Sequence, residues 1–527
     1  MIGVILPPER DNVRSAHVIA ACTLLSRALG LVRDMLQALV LGAGPVMDVF
    51  AIAYRIPNLF RRLFGEGALA TSFIPVLTEY EQTREKDARE LISVTFTWLA
   101  VILGGIVVLG WIGCLVAAPF FRTNAKTEMF LALLAIMLPH LPLICLAALL
   151  MAVLQVRNNF VIPALGQVVM NLIWIGGLLF LVSPLGVYGL ALAVLLGGAA
   201  EWLMQYVAVR RQGLAPRLRV NFSHPGLKQT QALFLPVVFG LAAVQVNTLV
   251  DQLIAQFFVE GDGAVSALYY GNNLMQLPLS IFGIAIATAV FPSLVLHAAR
   301  DDKPAFRRDL SQALRLTLFL SLPTIAITAV LAKPIVVLLF ARGSFAAQAD
   351  ATPRAAAVLT FFILGLWAYC AVHVLSRAFY SLHDSKTPVR VAVTTTVLNL
   401  ALNLILVWPM REAGLALSTS ICGAFNAIRL AYLLRKRVGR IGALEMVVSG
   451  AKCVNATIAA GVLCAVTLWF LRDAGGPGII GKLIRVFAPM GVGLAVFTFA
   501  AWATGMRELR ELTRALIRRR KDQALRN

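Results

Sequence analysis

Two stretches, GLALAVLLGGAAEWLMQYVAVRR at residues 189–211 and GLALSTSICGAFNAIRLAYLLRK at residues 414–436, carry one pattern twice. GLAL opens both, Gly198 answers Gly423, and the basic ends Arg210–Arg211 answer Arg435–Lys436. The same register sets Pro163 against Pro388, one apolar segment earlier. Nearer the start, ALATSFIPVL (68–77) parallels AIATAVFPSL (285–294), pairing Ala70–Thr71 with Ala287–Thr288 and Pro75 with Pro292.

The repeated unit lies in a chain built for lipid. Of 527 residues, 59% are hydrophobic and only 14% charged, with a mean hydropathy of +0.81. A soluble chain would hold about 25% charged residues. Apolar runs near the ~20 residues that cross a bilayer recur throughout. Candidate spans fall near 16–41, 47–77, 91–119, 127–156, 160–183 and 188–209. A second set falls near 230–257, 264–297, 309–333, 354–381, 388–409 and 414–434, and two more at 447–472 and 482–504. The matches pair spans two, five and six with eight, eleven and twelve. A shift of six spans preserves orientation, so the repeat is parallel, the pattern of transporters with two lobes around a midplane site. The expected fold is an all-α polytopic membrane protein of about fourteen transmembrane helices. Residues 1–229 and 230–440 form two six-helix lobes, 441–505 two extra helices, and 506–527 a basic tail.

The net charge of +21 is distributed by loop. Arg210, Arg211, Arg217, Arg219 and Lys228 share one loop, Arg300 and Lys303 another, and Arg435, Lys436, Arg437 and Arg440 a third; the tail continues the set. Loops near 42–47, 184–187 and 258–263 hold no Lys or Arg. This is the positive-inside asymmetry, so both termini are expected in the cytoplasm, with no nucleic-acid partner. Pro7 and Pro8 break the short apolar start, and no cleavable signal peptide is expected. The seven Cys stand singly in apolar runs, without metal-type spacing.

Against this background the charges inside spans one and two stand out. LLSRALGLVRDMLQALVLGAG (24–44) holds Arg27, Arg33 and Asp34, each costing roughly 2.5–3.5 kcal/mol at a bilayer centre. DVFAIAYRIPNLFRRLFGEG (48–67) adds Asp48, Arg55, Arg61, Arg62 and Glu66. At 100° per residue, Arg27 shares a face with Asp34, and Arg55 with Arg62. Arg61 and Arg62 also fit a span end, snorkelling to headgroups. The other lobe is sparser: Asp251 in span seven, Asn272, Asn273 and Gln276 in span eight, and His373 and Arg377 in span ten. One cationic wall calls for an anion, and the guanidinium fork suits phosphate or pyrophosphate. Asp34 and Asp48 would hold the guanidiniums until cargo arrives. Chemistry on prenyl phosphates would need paired carboxylates for Mg²⁺ or a nucleophile with its base, and no such cluster appears. A transporter is expected, not an enzyme, with no cofactor. Asp251, Asn399, Asn403 and Thr419 could together hold a monovalent cation; equally, the Asn pair could hydrogen-bond between helices. Coupling to Na⁺, H⁺ or membrane potential stays open.

These residues resemble the MurJ (MviN) family of lipid II flippases, within the multidrug/oligosaccharidyl-lipid/polysaccharide exporter superfamily. The matching stretches are SRALGLVRD (26–34), GAG at 42–44 with Asp48, RIPNLFRRLFGEGALATSFIPVLTEY (55–80), RNNFVIPA (157–164) and LFARGSFAAQ (339–348). VLSRAFYSLHDSKTPV (374–389) and NLALNLIL (399–406) extend the match. The resemblance implies a central cationic cavity and a groove for the polyprenyl tail formed with the last two spans. It assigns functional weight to Arg27, Arg33, Asp48 and Arg61, and places Arg33 and Asp34 in the cavity. The family commonly has Arg where this chain has Asn273, for which Arg377 is a candidate substitute. The implied activity is movement of lipid II, or a similar polyprenyl-pyrophosphate glycolipid, from the cytoplasmic to the periplasmic leaflet of the bacterial inner membrane by alternating access. A flippase for another polyprenyl-linked glycan and a cation-coupled drug or solute antiporter are the alternatives. Partners would be this glycolipid, membrane lipid and cell-wall synthases.

Overall fold

The computed structural model describes residues 9–61, 63, 69–83, 85–121, 123–439, 443–472, 476 and 478–513. Arg62, Gly65, Glu66 and Gly67, and the basic tail from 514, lie outside the described residues. Helices dominate, and no strand occurs among the described residues. In lipid a helix is one of the two solutions, with the closed β-barrel, that satisfy every backbone N–H and C=O without water.

The chain divides into two compact units: Met1–Leu253 with Arg342–Ala347, and Ile254–Ala341 with Gln348–Asn527. The first holds α1 (Glu9–Leu41), α2 (Pro45–Phe60), α3 (Leu69–Thr83), α4 (Glu85–Ala117), α5 (Ala125–Met137), α6 (His140–Val156), α7 (Val161–Gly176) and α8 (Val187–Arg211). The unit boundary falls inside α9 (Pro225–Phe258), later than the 229/230 division drawn from sequence. The second unit continues with α10 (Ala264–Pro278), α11 (Ala285–Ala299), α12 (Lys303–Leu339), α13 (Ala351–Leu364), α14 (Leu366–Ser381), α15 (Lys386–Val438), α16 (Ala443–Phe470) and α17 (Ile479–Ala503).

Nine helices among the described residues are long and apolar enough to cross a membrane, or ten if α13 and α14, bent by 42°, form one span. Their flanks carry the hydrophobicity outward. Leu109, Leu115, Phe180, Ile405, Trp408 and Ile428 are 62–74% exposed, a surface suited to acyl chains and not to water. Span one falls on α1, and span two on α2 and α3 with undescribed residues between them. The two extra helices α16 and α17 pack together against α12, where the Phe319 and Phe497 rings lie 5.1 Å apart.

The sequence repeat reappears as matched backbone geometry. A Cβ on Gly189 would lie 2.1 Å from the Leu181 carbonyl oxygen, and one on Gly414 would lie 2.2 Å from that of Leu406. Gly198 packs on the His140 ring and Gly423 on the Tyr369 ring, at 2.3 and 2.5 Å from a notional Cβ. Gly186 has φ +59° and ψ −147°; its counterpart Arg411 has φ 53° and ψ −138°. That bend breaks α15 into two helices, as spans eleven and twelve require. Arg411 occupies a backbone region suited to glycine. Its guanidinium donates to the Glu260 carbonyl oxygen within the same unit.

These close approaches predict an asymmetric glycine tolerance. Gly189→Ala and Gly414→Ala each drive a methyl into backbone and should destabilise by about 1–3 kcal/mol. Gly104→Ala meets nothing within 4 Å, and should match the wild type or gain up to about 1 kcal/mol. Thermal melting of the detergent-purified variants reads the difference.

Candidate functional site

The charged segment of α1 resolves into a clamp within the first unit. Arg33 Nε and Nη2 both donate to Asp34 Oδ1, at 3.1 and 2.8 Å. Arg33 Nη1 donates to Asn171 Oδ1 on α7 at 3.2 Å. The guanidinium carbon lies 4.7 Å from the centroid of the Trp174 ring, one helical turn beyond Asn171. Asn171 Nδ2 in turn donates to the Ser26 carbonyl oxygen and hydroxyl, at 3.1 and 3.3 Å. Ser26 and Arg33 are seven residues apart and so share a face of α1. One amide therefore bridges two turns of α1 while orienting the cation.

Aromatic packing fixes the clamp from behind. Trp174 is fully buried, and Tyr54 and Phe50 of α2 meet it edge-on at 4.9 and 6.0 Å between centroids. Phe50 and Tyr54, four apart, stack on each other along α2. Gln37 and Met47, both fully buried, join α1 to α2 through an Nε2–Sδ contact of 3.1 Å. Asp34 and Asp48 are buried at 7% and 3% exposure. A carboxylate so placed has little water, and Arg33 supplies the counter-charge for Asp34.

The other arginines differ in their anchoring. Arg61 Nε donates to Asn58 Oδ1 at 2.9 Å, where α2 opens into a wider turn after Pro57. The Cys145 thiol of α6 approaches the Phe60 carbonyl oxygen beside it at 3.9 Å. Arg55 is half-buried on the face of α2 that carries Asp48. Arg27 is half-buried and, among the described residues, makes neither a hydrogen bond nor an ion pair. Helical spacing set Arg27 and Asp34 on one face. The pair that forms is Arg33–Asp34, because the long Arg33 side chain folds back across its own helix.

In the second unit, Arg377 lies with its guanidinium 5.3 Å from the Phe291 centroid. Asn273 is half-buried on α10, and no hydrogen bond joins it to Arg377. Asn399 and Asn403 come together with Ser418 and not with Thr419. Asn403 Nδ2 donates to Asn399 Oδ1 and Asn399 Nδ2 to Ser418 Oγ, both at 3.1 Å, while Ser418 Oγ donates to Asn403 Oδ1. The Thr419 hydroxyl donates to the Leu415 carbonyl oxygen of its own helix at 3.0 Å. Asp251 belongs to the first unit and the Asn pair to the second. Among the described residues, no group of three His, Cys, Asp or Glu could hold a metal ion.

A multi-spanning helical fold, two internally matched halves and a braced cation inside one half have the plan of a membrane transporter built from internal repeats. A family model described as "Lipid II flippase MurJ" matches residues 37–485, and the chain belongs to that family. A Vibrio cholerae protein, "Probable lipid II flippase MurJ", is 32% identical over 522 residues, covering 94% of this chain and 96% of its own length. A Burkholderia cenocepacia "Lipid II flippase MurJ" is 31% identical, covering 80% and 84%. Among solved structures, "Lipid II flippase MurJ, inward closed conformation" superposes with a TM-score of 0.77 at 23% identity, over 92% of this chain and 99% of that one. An inward-facing multidrug resistance MATE transporter shares the fold at a TM-score of 0.64 and 14% identity, covering 81% and 98%.

Asn171, Trp174 and Ser26 were not singled out from sequence, yet they hold Arg33. Asn171→Leu removes the acceptor for Arg33 Nη1 and should destabilise by about 1–3 kcal/mol. Asn171→Asp keeps the acceptor and should retain more stability than the leucine variant. Thermal melting checks the order, which a clamp of no energetic consequence would not produce.

Proposed function

We propose that this chain moves lipid II, an undecaprenyl-pyrophosphate glycolipid, from the cytoplasmic to the periplasmic leaflet of the inner membrane. The observation that carries the reading is the pairing of a clamped cation with an unclamped one. Arg33 is held by Asp34, Asn171 and Trp174, whereas Arg27, two turns away on α1, makes no such bond among the described residues. A half-buried guanidinium in a membrane helix needs a counter-charge, and a pyrophosphate supplies it in bidentate form. The family supports lipid II in particular. The neutral Asn273 keeps a flippase for another polyprenyl-pyrophosphate glycan as the second reading. Drug or solute antiport does not by itself call for an arginine in this position.

Transport by this scheme is alternating access between the two repeats, with no covalent chemistry and no resident cofactor. The basic loops on one side support a cytoplasmic location for both termini, where contacts with cell-wall synthases are also compatible with the scheme. Energy would come from an Na⁺ or H⁺ gradient or from membrane potential, with Asp251 as the carboxylate to test. The Asn399–Asn403–Ser418 ring of hydrogen bonds favours the interhelical-glue reading over a cation site, and no step is routed through a cation there.

The test is leaflet-resolved flipping of a fluorescent polyprenyl-pyrophosphate glycolipid in proteoliposomes. A charge-assisted contact is worth roughly 1.5–3 kcal/mol, so Arg27→Ala should cut cargo capture about tenfold or more, and Arg33→Ala, which takes the clamped counter-charge from Asp34, should lower it as well. Arg33→Lys should recover part of the loss, because an ammonium lacks the fork. Asp251→Asn should change the dependence on ion gradient or potential while binding persists. Flipping at the wild-type rate by both alanine variants would remove the assignment.

A further inference from the structure

The outer face of the first unit carries a groove that the transport scheme does not use. It encloses about 500 Å³ between Ile162 at the start of α7 and the lipid-facing side of α8, within the ~300–1,000 Å³ typical of ligand sites. Ala200 and Ala208, eight apart on α8, make a shallow floor, and Leu203 and Val207 stand as its rim at 53% and 38% exposure. One end of this apolar furrow is polar. Arg211 and Gln212 close it at the last turn of α8, beside the adjacent Arg210.

We propose that this groove seats one anionic phospholipid, its acyl chain along Ala200, Leu203 and Val207 and its phosphate at Arg211. Charge complementarity selects the occupant: a basic end on a furrow in a membrane-spanning helix matches an anionic headgroup above a hydrocarbon tail. The chain leaving the groove continues the same chemistry. Arg217 N and Arg219 N donate to the Ser93 and Thr97 hydroxyls of α4, at 3.2 and 2.9 Å, which fixes an extended segment beside that helix. Leu218 and Val220 then stand 77% and 79% exposed between and beyond the two arginines. Apolar side chains alternating with arginine are a surface for the headgroup–acyl boundary, so the bilayer interface lies at this level.

Native mass spectrometry tests the site on the full-length protein released from bilayers of equal parts phosphatidylglycerol and phosphatidylcholine. The wild type should retain phosphatidylglycerol preferentially. Arg211→Gln should lower that preference about fivefold. Ala200→Leu, which fills the floor, should reduce retention of both lipids. Lys303→Gln, in a different basic loop, should leave the pattern unchanged. Arg211 is exposed, so its variant keeps the test valid even if the Ala200 variant fails to fold. Equal retention of the two lipids by the wild type, or an unchanged preference in Arg211→Gln, would overturn the proposal.

Discussion

An arginine in a membrane helix has to be held by something, and the first unit is organised around that requirement. Leaving Arg33 unpaired at the bilayer centre would cost roughly 2.5–3.5 kcal/mol on insertion scales. The protein meets it with two donations to Asp34, one to Asn171 and a tryptophan face. Hydrogen bonds to charged groups contribute ~1.5–3 kcal/mol each, so the clamp is of the same order as the cost of placing both Arg33 and Asp34 in the membrane. The same contacts bind α1 to α7, and Phe50 and Tyr54 extend the grip to α2. Burying the charge and assembling the unit are one set of interactions.

The internal repeat shows which contacts the architecture needs and which it varies. The close turn into the last helix of each repeat demands glycine, at Gly189 and Gly414. The preceding bend is Gly186 in one copy and Arg411 in the other, with nearly the same dihedral angles. In the same register, Asn403 and Ser418 stand where the first copy has Leu178 and Ala193, both buried. The first copy seals that helix pair by close approach of Gly177 to Ala193, and the second by a ring of hydrogen bonds. One backbone therefore accepts either steric or polar closure at the same seam.

Much of this was legible in the chain itself. The GLAL repeat, the matched prolines and the alternating basic loops give the helical class and the two-copy plan, because glycine, proline and arginine each have few tolerated places in a bilayer. The arginines of SRALGLVRD were conspicuous for the same reason. Their partners were not. Helical periodicity fixes where a Cβ points, and Arg33 reaches its neighbour Asp34 through a long flexible stem that periodicity does not describe. Asn171 and Trp174 sit in VVMNLIWIG, where an isolated amide and an indole look like ordinary membrane-helix residues. Only packing of α7 on α1 brings them to the guanidinium. A similar ambiguity set Thr419 beside the Asn pair, when it is Ser418, one residue and about 100° earlier, that completes the ring.

The central claim is that the cationic face of α1 serves passage of a pyrophosphate-linked lipid between leaflets. The most direct measurement is leaflet-resolved quantification of lipid-linked peptidoglycan precursor in cells depleted of this protein and rescued with wild type or Arg27→Ala at matched membrane levels. The account predicts that precursor accumulates in the cytoplasmic leaflet on depletion, clears with the wild type and persists with the variant. Clearance by Arg27→Ala equal to the wild type, or a precursor distribution unmoved by depletion, would contradict it.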